Sequence, residues 1–279
     1  GGVALSSISQ SVVRTLAAGL TGSGGVSGQA SVTLNELDNE TTAMISNAHV
    51  EAGGDIVVSA QELAPTLSDY LENSLLPDDV VTNLEDSLSD TSFDLTANIL
   101  SFAGSVGGAG LAAGSAAAAD SDISNTIEAT IDNSDVTSTL GDITVTSDSA
   151  AEIASLALGI GVATGAALNA SVTTNDIDND ITAEVTGSST LSAGDDVTLA
   201  AEDNSSVDSV AISLSGALGA ALGAAIVNTN ITNDTAARMA GTSSVEKAAV
   251  TSADQVNITA TSDQQIFAQS LGASVGSIA

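Results

Sequence analysis

The amino-acid sequence predicts an all-β protein built from stacked repeats, with one helical insertion. One motif recurs four times, and apolar and polar residues alternate with the period of a β-strand. The apolar content is aliphatic and small: of 279 residues, 26 are glycine and only three Phe and one Tyr are aromatic. Such a composition suits thin layers in which small side chains pack against copies of themselves. We therefore expect a β-solenoid, or stacked β-repeat, of about 54-residue units.

The recurring motif carries one asparagine per copy and defines the length of the unit. The asparagines are Asn39, Asn125, Asn179 and Asn233, at intervals of 86, 54 and 54 residues. The first interval is longer because residues 62–90 interrupt the repeat. Each copy continues into a second alternating segment, at residues 54–58, 141–145, 195–199 and 254–258.

Alternation places each asparagine on the apolar face of its strand. In the first copy Leu37, Thr41 and Ile45 share that face with Asn39. A buried amide is costly unless it is hydrogen-bonded, so we predict a structural asparagine stack in which one copy bonds the next. The alternative is a turn or bulge, in which each Asn bonds its own backbone.

Glycine- and alanine-rich segments lie between the motifs and also alternate with period two. Leu156, Leu158, Ile160 and Val162 are spaced two apart, and nearby glycines disfavour an exposed helix, so we predict close-packed strands. The alternative, a membrane span, is disfavoured by internal Ser, Thr and Asn and by the absence of flanking Lys or Arg.

Residues 62–90 break the pattern and contain both prolines and the only tyrosine. Pro65 suits a first helical turn, and we predict a helical hairpin that projects from the repeats. Its apolar face offers a candidate lateral contact with neighbouring molecules, through Leu67, Tyr70, Leu71 and Leu84. The alternative is a tolerated surface insertion without function.

The predicted organisation is a first repeat region at 1–61, the helical insertion at 62–90 and further β-repeats at 91–279. The last residues look like the beginning of another Gly/Ala segment, and the first residues look like its continuation. We therefore expect a half-repeat that continues into residue 1 of a next unit, so that the chain is part of a tandem array with copies of itself as partners.

The charge excludes several classes of function. With 35 acidic and 3 basic residues the formal net charge is −32, which opposes binding to nucleic acids and anionic membranes. There is no cysteine, and His49 is the only histidine, so Cys/His nucleophile pairs and His-rich metal sites are excluded. We predict that the protein is not an enzyme.

Closely spaced carboxylates form the candidate metal site. Two triplets project from single strand faces: Asp176, Asp178 and Asp180, and Glu36, Asp38 and Glu40. Oxygen-rich clusters attract Ca²⁺, which would also screen repulsion between stacked copies. The alternative is a merely solvated acidic face.

The combination of Gly54-Asp-Ile-Val-Val58-type strands, Gly/Ala-rich β segments and the motif Ile177-Asp-Asn179 followed by Ala183 resembles the repetitive regions of giant secreted bacterial adhesins. These are the filamentous-haemagglutinin and leukotoxin-type proteins. The resemblance implies a β-solenoid at the cell surface. We expect a structural repeat unit of an extracellular fibre, sheath or adhesin stalk that assembles end to end. The alternatives are a cell-surface binding module that contacts a host or neighbouring cell, and a membrane-active toxin segment.

Overall fold

A computed structural model describes residues 1–65, 97–241 and 247–277, which form twenty β-strands. These described ranges contain no helix, and every strand pair is parallel. The all-β prediction is confirmed. The strands are β1 (Val3–Ser9), β2 (Val13–Ser23), β3 (Val26–Ser46), β4 (His49–Ala52), β5 (Ile56–Glu62), β6 (Ile99–Ala109), β7 (Ala112–Asp132), β8 (Asp135–Ser138), β9 (Ile143–Ser149), β10 (Glu152–Ala163), β11 (Ala166–Ile177), β12 (Asp180–Thr186), β13 (Thr190–Ser192), β14 (Val197–Asp203), β15 (Ser206–Ala217), β16 (Ala220–Ile231), β17 (Asp234–Ala240), β18 (Ala249–Ser252), β19 (Val256–Ser262) and β20 (Gln265–Gly276).

The strands form four sheets, and successive units add their strands to these sheets in the same order. The first sheet has the order β2-β6-β10-β15-β20, and the second contains β3, β7, β11 with β12, and β16 with β17. The third sheet has the order β4-β8-β13-β18, and the fourth β1-β5-β9-β14-β19. Equivalent residues of neighbouring units lie side by side, as in the pair Ala157 and Ala211. Each sheet therefore stacks the same sequence position on itself.

Two different interiors result from this stacking. Where the end of the second sheet meets the third and fourth sheets, the interior is aliphatic and fully buried, with Ile127, Ile131, Ile143, Ile181, Val185, Leu191 and Leu199 in one cluster. Between the first sheet and the beginning of the second, the buried apolar residues are alanines such as Ala103, Ala117 and Ala157. The chain thus has an aliphatic core on one side and a narrow small-residue interior on the other.

The Gly/Ala-rich segments are strands, as their period predicted, and their large side chains point outward. Gly159 and Gly161 face the interior, while Val162 on the opposite parity is 59% exposed. A Cβ on Gly159 would lie 2.9 Å from Ser171 Oγ, and one on Gly161 would collide with the Asn169 amide. The two sheets approach so closely that only small residues fit between them.

The start of the predicted insertion differs from the observed structure, whereas the predicted hairpin and half-repeat stay predictions. Glu62 is the last residue of β5, so the strand extends into the range predicted as an insertion. Residues 66–90 of the predicted helical hairpin, with Leu67, Tyr70, Leu71 and Leu84, lie outside the described residues. The first strand, β1, pairs with β5 in the fourth sheet, from Val3 beside Ile56 onward. Within the chain β1 therefore occupies the fourth-sheet position of the repeat, and the continuation of the last residues into residue 1 of a next unit stays a prediction.

Candidate functional site

The four motif asparagines form a continuous column through the second sheet. The backbone N–H of Asn39 donates to Oδ1 of Asn125 over 2.8 Å. The N–H of Asn125 donates in the same way to Oδ1 of Asn179, and that of Asn179 to Oδ1 of Asn233, both over 2.8 Å. Each side-chain oxygen therefore bonds the backbone of the adjacent unit and not its own backbone.

The amide nitrogens of these asparagines link the column to other strands. Asn125 Nδ2 donates to Oε1 of Glu62, and Asn233 Nδ2 donates to Oδ1 of Asp203 over 2.9 Å. Asn179 Nδ2 donates to Ser149 Oγ over 3.3 Å. The acceptors occupy one row of the fourth sheet, in which Ser149 lies beside both Glu62 and Asp203. The column thus joins the second and fourth sheets in successive units.

Glu62 is a buried carboxyl group in this row and is 1% exposed. Desolvation raises its pKa to about 7, and the nearby Asp203 carboxylate adds to the rise. The hydrogen bond that Ser149 Oγ donates over 3.0 Å opposes the rise without cancelling it. This glutamate therefore titrates near neutral pH, which no sequence pattern indicated.

Asp203 is also buried, but its pKa moves in the opposite direction. Burial by itself raises the pKa of this group, yet four hydrogen bonds favour the charged form and lower it below its usual value. The donors are Ser205, Gln264, Asn233 and Ser262. Equivalent positions two units apart therefore hold one ionised carboxylate and one that binds a proton near neutrality.

A second column, of aspartates, connects the beginnings of the fourth-sheet strands. Oδ1 of Asp55 accepts the Asp142 N–H over 3.1 Å, and Oδ1 of Asp142 accepts the Asp196 N–H over 2.9 Å. Oδ1 of Asp196 then accepts the Gln255 N–H over 3.0 Å. The recurring Gly-Asp-Ile/Val sequence was the signal for this column, although sequence reasoning used it only to locate strands.

The two predicted carboxylate triplets lie on the outer face of the second sheet. Glu36 pairs in register with Asp122, which pairs with Asp176, and the pKa of Asp122 is raised by desolvation and by these neighbouring acids. Asp178 lies in the break between β11 and β12 and Asp180 begins β12, whereas Asp38 and Glu40, two units away, lie within β3. Among the described residues, no three His, Cys, Asp or Glu side chains are arranged to hold a metal ion. The acids form rows rather than a cage.

The end strands of the four sheets are another feature that can act on other molecules. Within the described residues, β1, β2 and β4 each pair with one strand at one end of the stack, and β18, β19 and β20 do so at the other. Unpaired N–H and C=O groups on such edges are templates for further strands. In the same part of the chain, no helix has the length and apolarity needed to cross a bilayer.

No protein-family model, curated protein or solved structure matches the chain. Inference about function therefore depends on the columns, edges and surfaces of the chain itself.

Proposed function

We propose that the chain is a structural repeat region of an extracellular fibre, sheath or adhesin stalk, built as a β-solenoid that elongates end to end. The observation that carries the proposal is the constant register of the first, second and fourth sheets, which end in open strand edges at both ends of the stack. A further unit can pair with either edge in the register used inside the chain. The continuation is either a further stretch of the same polypeptide or another copy.

The chemistry of the columns supports a structural role. The asparagine and aspartate side chains that recur in the repeat bond the neighbouring unit, and so contribute to stacking rather than to a pocket for a substrate. Such contacts can propagate through any number of units. The extracellular location rests on the resemblance to secreted adhesin repeats.

End-to-end growth can be blocked without removing a bond inside the chain. Val197 N–H donates to Gln255 O, and Asp263 N–H donates to Asp203 O. The backbone N–H and C=O groups of the odd-numbered residues of β19 therefore point toward β14. The N–H of Ala260 therefore points to the open edge, because successive residues of a strand face opposite neighbours. The bond from Gln265 N–H to Ser205 O places Ala268 of β20 on the open edge in the same way.

We expect the double variant Ala260→Pro, Ala268→Pro to keep the unfolding midpoint of the parent chain and to lose filament growth, because proline is tolerated at an open edge and cannot donate to a new strand. Electron microscopy measures filament length, and Ala260→Ser, Ala268→Ser is the control that keeps both N–H groups. Equal filament length in the proline and serine variants would contradict edge-to-edge growth.

Calcium strengthens this assembly in our proposal by screening the rows of outward carboxylates. Desolvation and then the neighbouring acids raise the pKa of Asp122, and the nearby Asp142 carboxylate is the first cause of the raised pKa of Asp195. We expect millimolar Ca²⁺ to raise the melting temperature and lengthen filaments, and a chelator to reverse both. Unchanged melting and filament length in excess chelator would remove calcium from the proposal.

A further inference from the structure

One side of the molecule carries apolar side chains on its outside. We name this side the apolar arm, and it consists of residues 16–34, 102–119, 156–174, 210–228 and 269–276. In the arm the first sheet folds back onto the second at the turns 24–25, 110–111, 164–165 and 218–219. On the outer face of the first sheet, Leu16 is 74% and Leu20 is 81% exposed. In register with Leu20 stand Val106, Ile160 and Leu214. The rows form a continuous apolar face across five strands.

The interior of the arm does not account for these side chains, because it is made of small and polar groups. Ser31 Oγ donates to Gly104 O over 2.6 Å, and Ser171 Oγ donates to Ile212 O over 2.6 Å. Polar groups thus bond one another inside while aliphatic groups face out. A large exposed apolar patch of this kind marks a surface that another molecule covers.

The charge of the molecule is segregated away from the arm. Residues 16–35, 102–119, 155–175 and 209–229 contain no Asp, Glu, Lys or Arg, although the chain carries 35 acidic residues. Two copies with a net charge of −32 repel each other wherever their acidic faces meet. Face-to-face contact between two arms keeps those carboxylates apart.

The area of the outer face of the first sheet suits such a pair. Five strands about 4.8 Å apart, each about seven residues long at 3.3 Å per residue, give about 550 Å² per copy, so a pair buries about 1,100 Å². This is about the least that a specific protein contact requires. The outer face of the second sheet also carries exposed apolar side chains, such as Leu34 and Leu222, but on the same strands it continues into the acidic row of Glu36, Asp122 and Asp176.

A bilayer is a poorer occupant of the arm than a second copy. Within the described residues, β2 and β20 bound the first sheet with unpaired backbone groups on one side. Hydrocarbon cannot satisfy those groups, whereas water reaches them at the rim of a protein contact. From the reversed polarity, the segregated charge and the area, we propose that the outer face of the first sheet is the lateral contact between two copies of this chain, a function additional to end-to-end growth.

Cysteine cross-linking locates the contact directly, because the chain has no cysteine of its own. Leu158 lies near the centre of the proposed face, in the middle strand of the first sheet. A two-fold pair brings both copies of this position together, so Leu158→Cys should form a disulfide-linked dimer. Leu168→Cys, on the outer face of the second sheet, is the matched control and should remain unlinked.

Charge substitution tests the affinity of the same contact. We expect Leu20→Glu, Val162→Glu to weaken lateral association by about tenfold or more in sedimentation velocity, because it buries carboxylates in an apolar contact. The matched control is Leu34→Glu, Leu222→Glu, at 72% and 63% exposure on the outer face of the second sheet, and it should associate like the parent chain. All variants are compared in the Ala260→Pro, Ala268→Pro background, where end-to-end growth does not contribute.

Three results would overturn the lateral contact: equal cross-linking at positions 158 and 168, equal weakening by the two charge variants, or a parent chain that stays monomeric in that background. The lateral contact would also be overturned if the parent chain floats with phosphatidylcholine vesicles and Leu20→Glu, Val162→Glu abolishes this flotation. That result would favour a lipid surface as the occupant. If filaments of the parent chain grow in length but never associate side by side, the lateral contact is wrong and end-to-end growth is unaffected.

Discussion

At the scale of single residues, the molecule uses buried polar side chains as connectors between units. Asn125 and Asn179 are almost fully buried, and each accepts one hydrogen bond from the backbone of a neighbouring unit. Glu62 joins this network with a raised pKa, so its charge is unfavourable where it lies. The network is therefore a source of stability at the asparagines and of pH sensitivity at the glutamate.

Replacement of Asn179 by Ala should lower the free energy of unfolding by about 1–3 kcal/mol, because it leaves the buried N–H of Asn125 without its acceptor. Urea unfolding followed by circular dichroism measures this change. Asn228→Ala, at an exposed position of the same sheet, is the control and should change stability little. Equal effects of the two substitutions would show that the column does not stabilise the stack.

The pKa of Glu62 gives stability a defined pH dependence. The unfolded group titrates near 4.5 and the folded group near 7, so the folded chain binds the extra proton between these values. This contribution is complete below pH 4.5 and is lost as the pH rises through 7, by up to about 3 kcal/mol. Asp203, with a lowered pKa, acts only in the acid range below its usual value.

Glu62→Gln should therefore remove the loss of stability between pH 4.5 and pH 7, since the amide is neutral throughout. Its Oε1 can accept from Asn125 Nδ2, and its Nε2 can donate to Ser149 Oγ. The difference in unfolding free energy between variant and parent should grow with pH in that window and then level off. Denaturant titrations at a series of pH values measure it. Parallel pH profiles for the two proteins would show that Glu62 is not buried in the folded chain.

At the scale of strands, close approach of the first and second sheets depends on glycine in the interior of the apolar arm. Gly161 faces the Asn169 amide, and Gly159 lies against Ser171 and the Ala170 backbone. Asn169 in turn donates to Ser215 Oγ over 2.8 Å. Any added carbon displaces groups that bond one another across the interior.

Gly161→Ala should destabilise the chain by about 1–3 kcal/mol, because the new methyl group overpacks the contact with Asn169. Gly216→Ala is the matched control, since a Cβ there meets nothing within 4 Å, and it should be neutral or slightly stabilising. Thermal melts of both variants provide the comparison. A neutral Gly161→Ala would mean that the sheets are further apart than the structure has them.

The strands themselves could be predicted from alternation, because period two is a local property of residues such as Leu156 and Leu158. The direction in which those leucines face could not be predicted, since an apolar parity ordinarily points to the core. Here the partner sheet presents Ser171 and Asn169, and only the register of two distant segments decides which face is buried. The same limit hid the pairing of Asn125 with Glu62, which depends on contacts between sheets.

At the scale of the whole molecule, charge and apolar surface are separated onto different sides of one stack of sheets. Acidic rows such as Glu36, Asp122 and Asp176 lie on the outer face of the second sheet, beyond the end of the apolar arm. The scarcity of aromatic residues fits the narrow interior, and the acidic side chains of the described residues, apart from Glu62 and Asp203, are exposed or half-buried. Repulsion among the outward carboxylates opposes stacking of the units. The hydrogen bonds of the asparagine and aspartate columns and of the strand edges favour stacking and offset this repulsion.

Added monovalent salt should raise the melting temperature and promote filament growth, because counterions screen repulsion among the outward carboxylates. Melting curves from about 10 mM to 500 mM NaCl, a range over which the Debye length falls several-fold, test this at constant pH. Arg238 and Glu184, whose side chains pair over 2.6 Å, form an attractive contact that salt weakens. Lower stability at high salt would mean that attraction and not repulsion dominates the surface.

The central claim is that units continue to stack in one register beyond the ends of this chain. Fibre diffraction from oriented assemblies of the purified protein tests it most directly. The account predicts a reflection at about 4.8 Å along the fibre axis, because parallel strands then run across the axis and pair along it. A 4.8 Å reflection perpendicular to the axis, or a protein that stays monomeric with calcium and salt present, would contradict end-to-end stacking.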